Sequence, residues 1–117
     1  MTTTDTKQQI DLVTEIASDI YRVSIPIPLK ALGNINCYLI QNETGWAIFD
    51  TAMNTPVAQQ AWPTALSSLG LTFADIEQII ITHTHPDHCG LAGWLQQQIK
   101  AATGQCPPIK LSVQGAE

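Results

Sequence analysis

Apolar and polar residues alternate along the first quarter of the chain with the two-residue period of β-strands. Residues 12–16 and 20–25 show this pattern. In the second segment, Tyr21, Val23 and Ile25 fall on one face of the predicted strand. The prolines that follow cannot donate to a strand ladder, so they end the run. The pattern predicts two strands with one apolar face.

A β-hairpin is predicted next. Residues 35–41 and 46–50 form its two strands, and the Asn-Glu-Thr-Gly sequence at 42–45 has the composition of a turn. Cys37 alternates with the apolar residues on either side of it and is predicted to lie in the core.

Helical spacing begins after the hairpin. Thr55 is the predicted cap, Pro56 suits the first turn and Gly70 ends the segment. Pro63 lies inside and is expected to kink or divide this helix. The apolar positions that define the helical face are Val57, Ala61, Ala65, Leu66 and Leu69.

The remaining segments alternate strand, helix and strand. Three consecutive isoleucines in the predicted strand 76–82 suit burial on both faces. A helix is predicted from about 86 to 102, with Gly104 as its stop, and the last strand is predicted at 109–113. This order indicates a layered α/β or α+β arrangement.

Composition restricts the class of protein. The chain has 117 residues, of which 44% are hydrophobic and 13% charged, so we predict one packed domain at 11–117 after a disordered polar lead at 1–10. The net charge of -5 and the five basic residues argue against a nucleic-acid partner. No apolar run approaches the roughly 20 residues that span a bilayer, so no membrane association is expected.

Cysteine usage and the N-terminus predict a cytoplasmic protein. Cys37, Cys89 and Cys106 are odd in number and scattered, which argues against a disulfide framework and favours reduced thiols. The polar first residues do not resemble a secretion signal. Cys89 follows a histidine directly, but a packed helix cysteine is the favoured interpretation over an additional ligand. Trp46, Trp62 and Trp94 are interpreted first as packing residues, although any of them could line a pocket.

All three histidines lie within six residues. His83 and His85 are two apart at the end of a predicted strand, where alternate side chains point the same way and can converge on one metal ion. Asp87 and His88 fall on the first turn of the following helix and point to a second position nearby. The helix dipole there favours an ionised Asp87 and a neutral His88, the forms that bind metal.

This donor set suits zinc, with iron or manganese possible. Two such ions can share a water and lower its pKa, and a carboxylate beside that water can orient it or accept its proton.

The sequence His83-Thr84-His85-Pro86-Asp87-His88 resembles the HxHxDH signature of metallo-β-lactamase-fold hydrolases. Residues 36–40 resemble the first core strand of that family, and Phe49-Asp50-Thr51 resembles its DTG turn with Ala52 in place of glycine. The resemblance implies that Asp50 supports the metal site by helping to position the ligands, without binding the metal itself.

The resemblance also implies a fold and a ligand set. The fold is α+β, a four-layer αβ/βα sandwich of two similar halves, and this chain would be the N-terminal half, a mixed sheet with two helices. His83 and His85 would bind one zinc ion, and Asp87 and His88 the other. Further ligands would come from the C-terminal half, since no histidine follows His88. We therefore expect a homodimer or a missing C-terminal segment to complete the sandwich.

The predicted function is metal-dependent hydrolysis of a small molecule that carries an ester, thioester, lactone, amide or phosphoester, with Asp87 as the catalytic proton acceptor. Two alternatives stay open. The chain could be a non-catalytic, truncated metal-binding or assembly module, or the site could be an iron-dependent oxidoreductase on the same fold.

Overall fold

A computed structural model describes residues 12–26, 33–82 and 89–111 of the chain. Within these ranges six strands form one sheet in sequence order. The first four strands pair with one another in antiparallel orientation. The fifth strand pairs in parallel with the fourth, and the sixth pairs in parallel with the fifth, so the sheet is mixed as predicted. The strands are β1 (Val13–Ala17), β2 (Ile20–Pro26), β3 (Asn34–Gln41), β4 (Trp46–Phe49), β5 (Ile76–Ile81) and β6 (Ile109–Leu111).

The first helix, α1 (Pro56–Ser68), confirms the predicted cap. The hydroxyl of Thr55 accepts a hydrogen bond from the Ala58 amide at 3.1 Å, and Pro56 occupies the first turn. The predicted division at Pro63 does not occur, because the helix runs unbroken through this exposed residue. Its neighbour Trp62 is fully buried, so core packing holds the helix together where proline removes one amide donor.

The second helix, α2 (Ala92–Thr103), lies within the helix predicted from about 86 to 102. The predicted start lies outside the described residues; Cys89 is helical, and a turn at Gly90 and Leu91 separates it from α2. Gly104 ends α2 as predicted, with φ +81° and its amide donating to the Lys100 carbonyl at 2.7 Å. Neither α1 nor α2 has the length and apolar character needed to cross a membrane.

Both helices pack on one face of the sheet. They connect parallel neighbours in succession, β4 to β5 and β5 to β6, and crossovers of the same hand put their helices on the same side. Cys37 is fully buried in this core, as predicted. Ile79 and Ile81 also face it, whereas Ile80 lies on the opposite face and is half-buried, so β5 is not fully buried on both faces. The largest fully buried side chains include Trp62, Ile25, Leu39, Ile48, Leu66, Ile79, Leu91, Leu95 and Ile99.

Candidate metal centre

The candidate site lies where two parallel strands end side by side. β4 and β5 are neighbours, so their carboxyl ends meet at the same edge of the sheet. Asp50 directly follows β4, and its amide still donates to the Ile80 carbonyl at 2.8 Å. Thr82 directly follows β5 and immediately precedes the histidine motif. The topology therefore brings Asp50 to the point where the chain enters residues 83–88.

One carboxylate binds the last residue before the motif twice. Asp50 is only 5% exposed, and its Oδ1 accepts from the Thr82 amide at 2.8 Å. Its Oδ2 accepts from the Thr82 hydroxyl at 2.6 Å. Hydrogen bonds to a charged acceptor are about twice as strong as neutral ones, so this pair fixes the end of β5 firmly. The supporting role predicted for Asp50 requires such a carboxylate beside the ligand segment.

The same turn also binds the far flank of the motif. The Leu91 amide, at the start of α2, donates to the Ala52 carbonyl at 3.0 Å and approaches the Thr51 hydroxyl at 3.2 Å. Thr51 and Leu91 are both fully buried. Asp50, Thr51 and Ala52, called the 50–52 turn below, therefore hold both Thr82 and Leu91.

The 50–52 turn is itself anchored in the core. The indole Nε1 of the buried Trp62 donates to the Thr51 carbonyl at 3.0 Å. Asp50 and Ala52 have φ values of +64° and +78°, a region that L-residues other than glycine adopt at a cost. Strained backbone of this kind is often found beside functional sites.

Cys37 is a buried cysteine close to Asp50. It directly precedes Tyr38, which pairs with Phe49 at the end of β4, and the thiol is fully buried. Burial raises the pKa of Cys37, and the negative charge of Asp50 raises it further. The thiol therefore stays neutral and serves as a core residue rather than as a nucleophile or ligand. Cys89, at the other side of the motif, is half-buried in a helical turn.

The four predicted metal ligands, His83, His85, Asp87 and His88, lie outside the described residues, and their arrangement stays a prediction. The described ranges contain no group of three or more His, Cys, Asp or Glu side chains that could hold a metal ion. The donor chemistry of the motif nevertheless fits one, because three imidazoles and a carboxylate within six residues are a typical set for zinc. The 50–52 turn holds the residues described on either side of this segment, Thr82 and Leu91.

Sequence reasoning singled out Asp50, whose supporting role stays a prediction, but it did not predict the hydrogen bonds by which Thr51 and Trp62 hold the 50–52 turn. The one available signal was Ala52, which stands where the related motif has glycine and so marks a position of positive φ. A buried hydroxyl such as Thr51 has no signature of its own, because its partner Leu91 is 40 residues away in the sequence.

Comparison with known proteins identifies the family. The family model of the metallo-beta-lactamase superfamily matches residues 31–115. A curated relative, the "Probable metallo-hydrolase YqjP" of Bacillus subtilis (strain 168), is 30% identical over 82 residues, which are 70% of this chain and 25% of that protein. The chain thus spans a quarter of the length of that relative.

Solved structures agree with the fold. The metallo-beta-lactamase family protein TTHA1429 from Thermus thermophilus is similar with a TM-score of 0.65 and 38% identity, over 72% of this chain and 28% of that one. A beta-lactamase domain protein from Burkholderia ambifaria is similar with a TM-score of 0.68 and 27% identity, over 85% and 30% of the two chains. The mixed sheet with two helices is thus a fragment of the metallo-β-lactamase fold. Because the family model matches 31–115, the chain belongs to the metallo-beta-lactamase superfamily.

Proposed function

We propose that this chain supplies the N-terminal ligand half of a metal-dependent hydrolase. The observation that best supports the proposal is the double hydrogen bond from Thr82 to the buried Asp50, directly before the segment with all three histidines. A protein gains little from fixing the entry to a polar segment so firmly unless that segment must be placed accurately. Membership of the superfamily supports the same function.

The proposed roles follow the residue types. His83 and His85 would hold one metal ion, Asp87 and His88 would hold the second, and the Asp87 carboxylate would serve as the proton acceptor for the water that such ions activate. Zinc is the proposed metal, with iron or manganese as substitutes, and such ions supply Lewis acidity and acidify water at neutral pH. Asp50 keeps the strand end that carries His83 in place by accepting both Thr82 hydrogen bonds.

The substrate class is a small molecule with an ester, thioester, lactone, amide or phosphoester bond, since polarising a carbonyl or phosphoryl oxygen is what such a centre does best. A first ion held by two histidines needs a third protein ligand, and no histidine follows His88. A second copy of the chain or a further C-terminal segment is therefore part of the proposal, as the source of the remaining ligands.

Metal content tests the ligand assignment. The purified 117-residue chain should contain near-stoichiometric zinc or iron by elemental analysis, and a His83→Ala/His88→Ala double variant should contain none. A Cys106→Ala variant controls for adventitious thiol binding at this exposed cysteine and should keep the native content. Absence of metal from the native chain, or equal metal in the double variant, would contradict the proposed ligands. Iron in place of zinc would favour the oxidoreductase alternative.

The second candidate function is that of a non-catalytic, truncated metal-binding or assembly module, which would use the same four candidate ligands to hold metal without turnover. Turnover by the metal-loaded chain, measured against a panel of p-nitrophenyl esters, a thioester, a lactone and a phosphodiester, separates the two candidates. Metal bound without turnover of any substrate would favour the module, whereas turnover that disappears in the His83→Ala/His88→Ala variant would favour the hydrolase.

A further inference from the structure

Thr51 connects three parts of the fold that surround the candidate site. Its side chain is fully buried, and its hydroxyl lies 3.2 Å from the Leu91 amide, from which it can accept a hydrogen bond. Its carbonyl accepts the Trp62 indole at 3.0 Å. Thr51, the second residue after β4, therefore contacts both α1 and the residue that precedes α2.

The residue directly before α2 is bound by this contact. The amides at the start of a helix have no partner within the helix and need an acceptor from elsewhere. Among the described residues no side chain caps α2, and the amide of Leu91, which precedes its first residue, donates to the Ala52 carbonyl and to the Thr51 hydroxyl. The 50–52 turn thus fixes the backbone at the point where the chain enters α2.

The two flanks of residues 83–88 are held by different atoms of one turn. The Asp50 carboxylate binds Thr82 on the strand side, and the Thr51 hydroxyl with the Ala52 carbonyl binds Leu91 on the helix side. The separation of the flanks is therefore set by a three-residue turn that is anchored to the buried Trp62.

We propose that Thr51 is a positioning residue for the metal-binding segment and acts through its hydroxyl on Leu91. The inference rests on the proposed function and extends it to the helix side, which Asp50 does not reach. Fixing both flanks before metal binds lowers the ordering cost of binding, which raises affinity without any new ligand contact. Removing a residue that orients metal ligands without binding the metal itself typically weakens metal binding about 10–100-fold.

Two substitutions at Thr51 distinguish the effect of its hydroxyl from the effect of its methyl group. Thr51→Val keeps the shape and removes the hydroxyl, whereas Thr51→Ser keeps the hydroxyl and removes the methyl. Ile99→Val, in the buried face of α2, is the matched control for a general loss of packing. The pair Thr51→Ser and Thr51→Ala also differs by the hydroxyl and carries the test if Thr51→Val does not fold.

Two measurements are made on the full chain. Amide hydrogen exchange at Leu91 is followed in the metal-free protein, and zinc affinity is measured by competition with a chromophoric chelator. In Thr51→Val, Leu91 should exchange about tenfold faster than in Ile99→Val, as expected for one weakened hydrogen bond. Its zinc affinity should fall about 10–100-fold, while Thr51→Ser stays close to the native protein.

The outcomes distinguish this inference from the proposed function. Unchanged Leu91 exchange in Thr51→Val, or equal losses of zinc affinity in Thr51→Val and Thr51→Ser, would overturn the role of the hydroxyl. A native chain that binds no zinc would refute the proposed function, and the Leu91 exchange rates in the metal-free variants would then decide alone whether Thr51 fixes this flank. Loss of affinity in Ile99→Val equal to that in Thr51→Val would also overturn the inference, because the effect would be one of packing.

Discussion

Ala52 adopts a backbone conformation that favours glycine. Its φ is +78°, where a Cβ costs roughly 1–2 kcal/mol, and the residue is only 2% exposed. In Ala52→Gly, relief of that strain should offset the lost methyl burial of about 0.8 kcal/mol and the greater freedom of the unfolded chain. We therefore expect the free energy of unfolding to change by less than about 1 kcal/mol, as measured by urea denaturation.

Ala65 provides the matched control, because it is fully buried within α1. Ala65→Gly loses the same methyl group, and helical backbone adds a glycine penalty of about 1 kcal/mol. This variant should therefore lose about 2 kcal/mol. Equal losses at the two positions would mean that Ala52 is not strained in the folded protein.

The sequence predicted the residues whose chemistry is visible in their type. Asp50 was identified by its resemblance to a known turn, and Cys37 was placed in the core by alternation, which burial confirms. Thr51 belongs to the same resembling turn, but its hydrogen bond to Leu91 could not be predicted from the sequence, because that partner comes from a segment 40 residues away. Residue type predicts what a side chain can do, whereas tertiary contacts decide whether it does so.

At the scale of elements, the β3–β4 turn is tied to the start of β5 by one carboxylate. Glu77 accepts hydrogen bonds from the Thr44 hydroxyl at 2.7 Å and from Asn42 Nδ2 at 2.8 Å. Gly45 allows this approach, because a Cβ there would lie 3.3 Å from Glu77 Oε1 and from the Asp75 carbonyl. The hydrogen bonds from Thr44 and Asn42, aided by the charge of Lys110, lower the pKa of Glu77.

This depressed pKa predicts a pH dependence of stability. A carboxyl group with a lower pKa in the folded state stabilises the fold above its unfolded pKa, about 4.3 for Glu, and loses that contribution as the pH falls through the folded value. The difference in unfolding free energy between the native chain and Glu77→Gln should therefore shrink from about pH 6 to about pH 3. Glu15→Gln, at an exposed position of β1, is the control for the loss of one surface charge. A difference that stays constant with pH would contradict the role of the charge.

Element boundaries were predicted well where local signals act alone. Thr55 and Gly104 mark the start of α1 and the end of α2 as expected, because caps are encoded within a few residues. Of the two effects predicted for Pro63, a kink or a division, the division does not occur, because tertiary packing of the buried Trp62 holds α1 together. The start of the helix predicted from about 86 lies outside the described residues and stays a prediction.

At the scale of the whole molecule, the described sheet has two unlike faces. One is covered by α1 and α2 and contains the fully buried residues of the core. The other carries half-buried apolar side chains, among them Tyr38, Ile40 and Phe49. Sequence alternation predicts which residues share a face, but it cannot tell what packs against that face, because the packing partner is set by tertiary and quaternary contacts.

Substitutions of two adjacent residues of β5 test how differently the two faces of the sheet are buried. Ile79 is fully buried beneath the helices, so Ile79→Ala should lose about 2–5 kcal/mol of unfolding free energy. Ile80 is half-buried on the opposite face, so Ile80→Ala should lose about 1 kcal/mol of unfolding free energy in dilute solution.

If a second copy of the chain covers this face, the loss in Ile80→Ala should grow with protein concentration, because association adds to stability by mass action. The loss in Ile79→Ala should not depend on protein concentration. Urea denaturation at several protein concentrations measures both. Equal losses at every concentration would mean that each face is already covered within one chain.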